Sequence, residues 1–163
     1  FPFLLDLQRL MTEVVSRQIP LLGICLGGQL LAHILGGRVT ANCYGEKGSQ
    51  EVKLTLAGVA DPLFAGIPQT FTTFQWHNDS FEPPPGALLL ASSRACPHQA
   101  FRFGPWAYGT QFHPEVERQI VTAWAKSDRT TAPVAEELHQ RFMAHEERYL
   151  ALSRRLLTNF LSL

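Results

Sequence analysis

Two short runs in this 163-residue sequence hold side chains from which covalent chemistry could be built. In Gly23-Ile24-Cys25-Leu26-Gly27, a cysteine lies between an apolar stretch and the start of a helical pattern, with a glycine on each side. Small neighbours permit a sharp strand-to-helix turn, a nucleophile elbow, with Cys25 thrown out at its tip. A helix start also favours the thiolate through its dipole and unpaired N–H groups, and the thiolate is the attacking species. In Gln111-Phe112-His113-Pro114-Glu115, an imidazole and a carboxylate stand two residues apart in an extended segment, so both side chains point to one side. Such a pair can take and return a proton beside a thiolate, with Glu115 holding the ring of His113. Each run alone has a plainer reading, a buried core cysteine and a satisfied surface histidine. Together they point to a Cys-His-Glu nucleophilic triad.

These groups must be brought together by the elements around them. Leu4, Leu7, Leu10, Met11, Val14 and Val15 recur at helical spacing, which predicts a helix over 4–18 ended by Pro20. A short strand over 20–25 follows, then a helix carrying Leu30, Leu31, Ile34 and Leu35 and stopped by Gly36-Gly37. Strands are predicted over 39–42, 51–56, 71–76, 87–91, 100–103 and 106–112, with a short helix after Asp61-Pro62 capped by the aspartate. The short connections among the later strands suggest local hairpins. From Val116 the pattern turns helical, with a fresh start near Pro133. The apolar face of Leu152, Leu156, Leu157, Phe160 and Leu161 needs a surface to bury it, in its own core or on a second subunit. The expected architecture is one α/β domain over 1–163, an open, mainly parallel sheet flanked by helices, with the site at the carboxyl ends of its strands.

Composition narrows the function classes. With 45% hydrophobic and 17% charged residues, the chain is globular rather than disordered. Fourteen basic residues balance fourteen acidic ones, so no basic footprint argues for nucleic acid or an anionic membrane. No apolar run reaches the roughly 18 to 20 residues of a spanning helix, and a soluble, cytoplasmic protein is expected. Three cysteines, Cys25, Cys43 and Cys96, suit a reducing compartment better than a disulfide framework, and no zinc spacing is present. Cys43 and Cys96 lack an elbow and read as ordinary thiols, and His98, His139 and His145 read as surface residues.

Taken together, the two runs resemble the class I glutamine amidotransferase family, with its G-x-C-x-G elbow and distant H-P-E. The resemblance extends through Pro20 to Gln29, Leu30-Leu31-Ala32, Gly36-Gly37, Phe74-Gln75-Trp76-His77-Asn78-Asp79 and Gln111 to Glu115, in the family's order over most of residues 4–125. The Trp76-His77-Asn78-Asp79 element and Gln99-Ala100-Phe101-Arg102 are similar to stand-alone members like the amidotransferase half of GMP synthase. The resemblance implies a flavodoxin-like fold and hydrolysis of the glutamine side-chain amide through a glutamyl thioester on Cys25. It implies His113 as proton carrier, Glu115 as its partner, and the Leu26 N–H as an oxyanion donor. Gln29, His77 and Asp79 match positions that hold the substrate. No metal or organic cofactor is implied, and the ammonia acceptor, on a synthetase subunit or elsewhere, is left open.

The sequence also departs from the family pattern. The family places a strand, a helix and a glycine-bearing loop with a second oxyanion donor ahead of the segment equivalent to Phe1, so an N-terminally incomplete domain is expected. Gly28 stands where many members have His, and Asn78 where many have Gly. Glu46-Lys47-Gly48-Ser49 matches only loosely and is given no role. Two other functions fit the same residues: a γ-glutamyl amide or peptide hydrolase, and an inactive amidotransferase-like binding module. Trp76-His77-Asn78-Asp79 and Gln29 favour the glutamine-using branch over the first, and the intact triad disfavours the second.

Overall fold

The computed structural model describes residues 2–163. Helix α1 (Phe3–Ser16) leads into strand β1 (Leu21–Ile24), Cys25, and helix α2 (Leu26–Ile34). Strands β2 (Arg38–Thr40), β3 (Glu46–Leu54), β4 (Thr70–His77), β5 (Ser80–Glu82), β6 (Leu88–Ser93), β7 (Ala100–Phe103) and β8 (Ala107–Thr110) follow, with helix α3 (Leu56–Ala60) between β3 and β4. Three helices close the chain: α4 (Arg118–Ser127), α5 (Ala135–Met143) and α6 (Glu146–Leu161). Phe1 lies outside the described residues.

The open, helix-flanked α/β sheet expected from the sequence is present, with six strands in the order β1-β8-β7-β6-β3-β4 and a separate β2-β5 ribbon. One expectation is revised. Among the described residues only β1 and β8 pair in parallel, and the other four pairings of the main sheet are antiparallel, so the sheet is mixed rather than mainly parallel. The cause is chain length: the few residues joining β6 to β7 and β7 to β8 can reverse the chain but cannot carry it back for a parallel crossover.

The parallel pair matters most for function. Parallel strands end at the same edge of a sheet, and the register sets Ile24 beside Thr110. Cys25 and Gln111 therefore leave the sheet side by side, and the Cys25 N–H donates to the Thr110 carbonyl at 2.8 Å.

Side-chain alternation sorts the core onto the two faces. Phe101 and Ala107 face α1 and α2 with Met11, Leu31 and Phe81, whereas Tyr108 joins Val52, Phe71, Leu90 and Phe112 on the opposite face, under α6. The apolar side of α6 is spent there: Leu156 is buried, and Leu152, Leu157 and Phe160 pack against it. A third cluster, Phe74, Val116, Val121, Phe142 and Tyr149, binds α4, α5 and α6 to β4 next to the H-P-E segment. No helix among the described residues is long and apolar enough to cross a membrane.

Candidate active site

Cys25 joins β1 to α2 with φ +48° and ψ −105°, a conformation that non-glycine residues rarely hold. Strain of this kind costs about 1–3 kcal/mol and is kept only where the surroundings enforce it. Here the enforcement is close packing of backbone. A Cβ on Gly23 would lie 2.5 Å from the Gly27 carbonyl, and one on Gly28 would lie 2.6 Å from the Thr110 carbonyl. Gly27 has open space around it. The turn therefore depends on Gly23 and Gly28 for close approach, which gives Gly28 a structural reason to lack a side chain. The Leu26, Gly27 and Gly28 N–H groups, in the first turn of α2, have no intrahelical acceptor.

The second run leaves β8 alongside the elbow. The His113 N–H donates to the Phe74 carbonyl at 2.8 Å, which fixes the segment against β4. The imidazole Nδ1 lies 2.7 Å from Glu115 Oε1. With the carboxylate accepting, Nδ1 carries the hydrogen and Nε2 is the group left for chemistry. His113 Nε2 is buried and has no hydrogen-bonding partner, and its side chain is 9% exposed against 41% for Glu115. Burial disfavours the imidazolium, but Cys25 and Glu115 together outweigh it and raise the His113 pKa from 6.5 to about 9.

Two residues outside the two runs pack around His113. Trp124 of α4 stands edge-on to the His113 ring, centroids 5.1 Å apart. Tyr149 of α6 donates its hydroxyl hydrogen to the His113 carbonyl at 2.8 Å and accepts from the Val116 N–H at 3.1 Å. Burial pushes the phenol pKa up, so it stays a donor. Tyr149→Phe leaves both main-chain groups unpaired and is expected to lower stability by about 1–3 kcal/mol, read as a fall in the urea midpoint. No spacing rule links positions 113, 124 and 149, so only the fold reveals them.

The structure gathers Gln29, His77 and Asp79 around one main-chain oxygen. Gln29 Nε2 donates to the Asp79 carbonyl at 3.0 Å, and His77 Nδ1 lies 3.0 Å from the same atom. Asp79 Oδ1 accepts from the Asn42 N–H at 2.9 Å. Behind them, His77 Nε2 faces Glu46 at 3.4 Å, and that buried carboxylate also accepts from Ser93 at 2.8 Å and Gln99 at 2.5 Å. Glu46, given no role on sequence grounds, thus anchors the loop through His77, whose side chain is itself buried. The Trp76 ring lies against Phe74 and Trp124, with Lys47 Nζ 5.6 Å from its centroid, while its carbonyl faces the Cys25 sulfur at 3.9 Å. Cys96 is buried and Cys43 half-buried, both as free thiols. Among the described residues, no three His, Cys, Asp or Glu side chains are gathered as metal ligands.

Comparison with known proteins finds relatives of this chain. A family model described as glutamine amidotransferase class-I matches residues 6–121. The chain is 37% identical over 114 residues to a glutamine amidotransferase-like protein, YfeJ, of Salmonella typhimurium, an overlap covering 70% of this chain and 48% of that one. It is 42% identical over 101 residues to one subunit of the glutamine-hydrolysing GMP synthase of Thermococcus kodakarensis, covering 60% of this chain and 52% of that protein. The chain thus spans about half the length of these curated relatives. Among solved structures, a glutamine amidotransferase of Thermotoga maritima superposes with a TM-score of 0.78 at 32% identity, covering 98% of this chain and 70% of the other. Trp124 and Tyr149 lie beyond the residues that the family model matches.

Proposed function

The chain belongs to the class I glutamine amidotransferase family, and from that premise we propose that it hydrolyses the glutamine side-chain amide through Cys25, His113 and Glu115 and supplies the ammonia to an acceptor. The observation that carries the reading is the pairing at the edge of β1 and β8: a strained Cys25 at a helix start beside an imidazole whose Nδ1 is held by Glu115 at 2.7 Å.

The chemistry follows from these positions. The Cys25 thiolate attacks the carboxamide carbon, and the charge that develops on oxygen meets the Leu26 N–H at the start of α2. The His113 imidazolium gives its Nε2 proton to the departing nitrogen, so that ammonia leaves and a glutamyl thioester remains. The neutral imidazole then takes a proton from water, the resulting hydroxide cleaves the thioester, and glutamate departs with the thiolate–imidazolium pair restored. Glu115 stabilises the imidazolium at both stages. Gln29, His77 and Asp79 act on the substrate end. Gln29 and His77 shape the loop through the Asp79 carbonyl, and Asp79 stands at its tip. The resemblance to the GMP synthase of Thermococcus kodakarensis favours a synthetase partner as the destination of the ammonia.

The test is release of glutamate and ammonia from glutamine by the purified protein, compared with γ-glutamyl peptides. Hydrolysis of glutamine at the higher kcat/KM is expected, and a preference for the peptides would move the assignment to a γ-glutamyl hydrolase. The pH profile carries a further expectation. Because His113 titrates near 9 and acts as an acid, kcat/KM should hold through neutral pH and fall as the imidazolium is lost above about 9. Glu115 is one of the groups that raise this value, so Glu115→Gln should bring the alkaline limb to lower pH. The sign for stability is the same. The raised pKa stabilises the fold fully below 6.5, and that contribution is lost as pH rises through about 9.

A further inference from the structure

The sulfur of Cys25 has two polar neighbours besides the imidazole, and they differ in kind. The Trp76 carbonyl, 3.9 Å away, can only accept, so it serves the protonated thiol. Gln111 Nε2, 3.6 Å away, can only donate, and a donor gains strength when the sulfur becomes an anion. Which end of the Gln111 amide faces the sulfur is settled by its other contact. Gln111 Oε1 lies 3.4 Å from Gln29 Nε2, and a flipped amide would set two NH₂ groups against each other. Gln29 is held in turn by its bond to the Asp79 carbonyl at 3.0 Å. Gln111 is fully buried, so no water competes for its donor. His113 Nε2, buried beside the sulfur, has no partner among the described residues other than Cys25.

We propose that Gln111 is a catalytic residue that holds the Cys25 thiolate through an N–H···S hydrogen bond, with Gln29 as the positioning residue that aims its amide. This rests on Cys25 being the nucleophile, as the proposed function has it. The titratable group facing Cys25 is His113, with Glu115 behind it. From β4 comes only the Trp76 carbonyl, His77 is turned to Glu46, and the first turn of α2 carries no charge. Gln111 is thus a neutral donor acting beside one charged partner, and its removal should act on the thiolate without altering the His113–Glu115 bond.

The experiment is the rate of Cys25 alkylation by iodoacetamide as a function of pH, read on the Cys25 peptide by mass spectrometry in the full chain. In Gln111→Met, which keeps bulk and loses the donor, the rate at pH 7 should fall about tenfold while the high-pH plateau stays at the wild-type level. Gln111→Glu, which sets an acceptor against the sulfur, should fall further. Gln29→Met should fall in the same direction by less, and it decides the matter if neither Gln111 variant folds. A merely structural role would lower the plateau or the melting temperature without moving the midpoint. Folded variants that alkylate at the wild-type rate across the whole pH range overturn the proposal. Alkylation is independent of turnover: a protein that shows the expected shifts yet leaves glutamine intact contradicts the glutaminase reading and not this one.

Discussion

Cys25→Ser is expected to lower glutamine hydrolysis by roughly 10⁴- to 10⁶-fold, the range seen when one member of a triad is removed. Serine is close in size and can follow the same φ of +48°, so the elbow formed by Gly23 and Gly28 should persist. What is lost is the sulfur nucleophile: a thiol gives up its proton far more readily than a hydroxyl, and a serine would have to surrender its own during attack. The His113 imidazole, held near pKa 9 partly by Cys25, would also lose a raising partner. Steady-state assay of ammonia release with a urea titration on the same preparation checks both halves. A large loss of turnover with a stability within about 0.5 kcal/mol of wild type is the expected pair of results.

The second large effect belongs to the proton carrier. His113→Ala should reduce kcat by about 10²- to 10⁴-fold, the usual worth of a positioned acid–base group. Its signature differs from that of Cys25→Ser. The thiol remains, so Cys25 can still be alkylated, but without the imidazolium opposite it the reaction should need higher pH. Glu115 is left without its ring partner, which costs little because its side chain is 41% exposed. The vacated space beside Trp124 should cost more, since the two rings pack at 5.1 Å. Single-turnover measurement separates the two steps. Both thioester formation and its hydrolysis should slow, because His113 donates in the first and accepts in the second.

The difference between what could be read in advance and what could not is a matter of range. The elbow and the H-P-E run are local: Gly23, whose missing Cβ admits the Gly27 carbonyl, and a carboxylate two places from a histidine are constraints that neighbouring residues impose on one another. Asp61 capping the turn at Pro62–Phe64 is local in the same way, and its Oδ1 accepts from the Leu63 N–H at 3.0 Å. Glu46 is the opposite case. It lies in a stretch of polar residues and glycine that reads as a turn, yet it begins the nine-residue strand β3, because pairing with β4 from Glu46↔His77 onward outweighs local preference. Its carboxylate is buried by partners at positions 77, 93 and 99, and nothing at position 46 announces them.

Gln111, Trp124 and Tyr149 were legible as residues and illegible as functions for the same reason. Gln111 sits in the H-P-E run, but its contact with Cys25 exists only because β1 and β8 are parallel and in register. The mainly parallel sheet expected from the sequence is parallel where the site is built, between β1 and β8, and antiparallel across β8, β7, β6, β3 and β4. Between β6, β7 and β8 the short connections already pointed to hairpins, and the geometry of a chain reversal decides the matter there. The three-residue strand β5 went unread because a segment that short, next to a polar loop, carries no periodicity to detect.

The central claim is that Cys25 is a nucleophile directed at glutamine, and an electrophilic analogue tests it most directly. The protein is treated with a diazo-ketone analogue of glutamine and its peptides are weighed. A single adduct on the peptide bearing Cys25, suppressed by excess glutamine and slowed in His113→Ala, is the predicted result. A folded protein that takes no adduct, or takes it on Cys43 without protection by glutamine, would contradict the account.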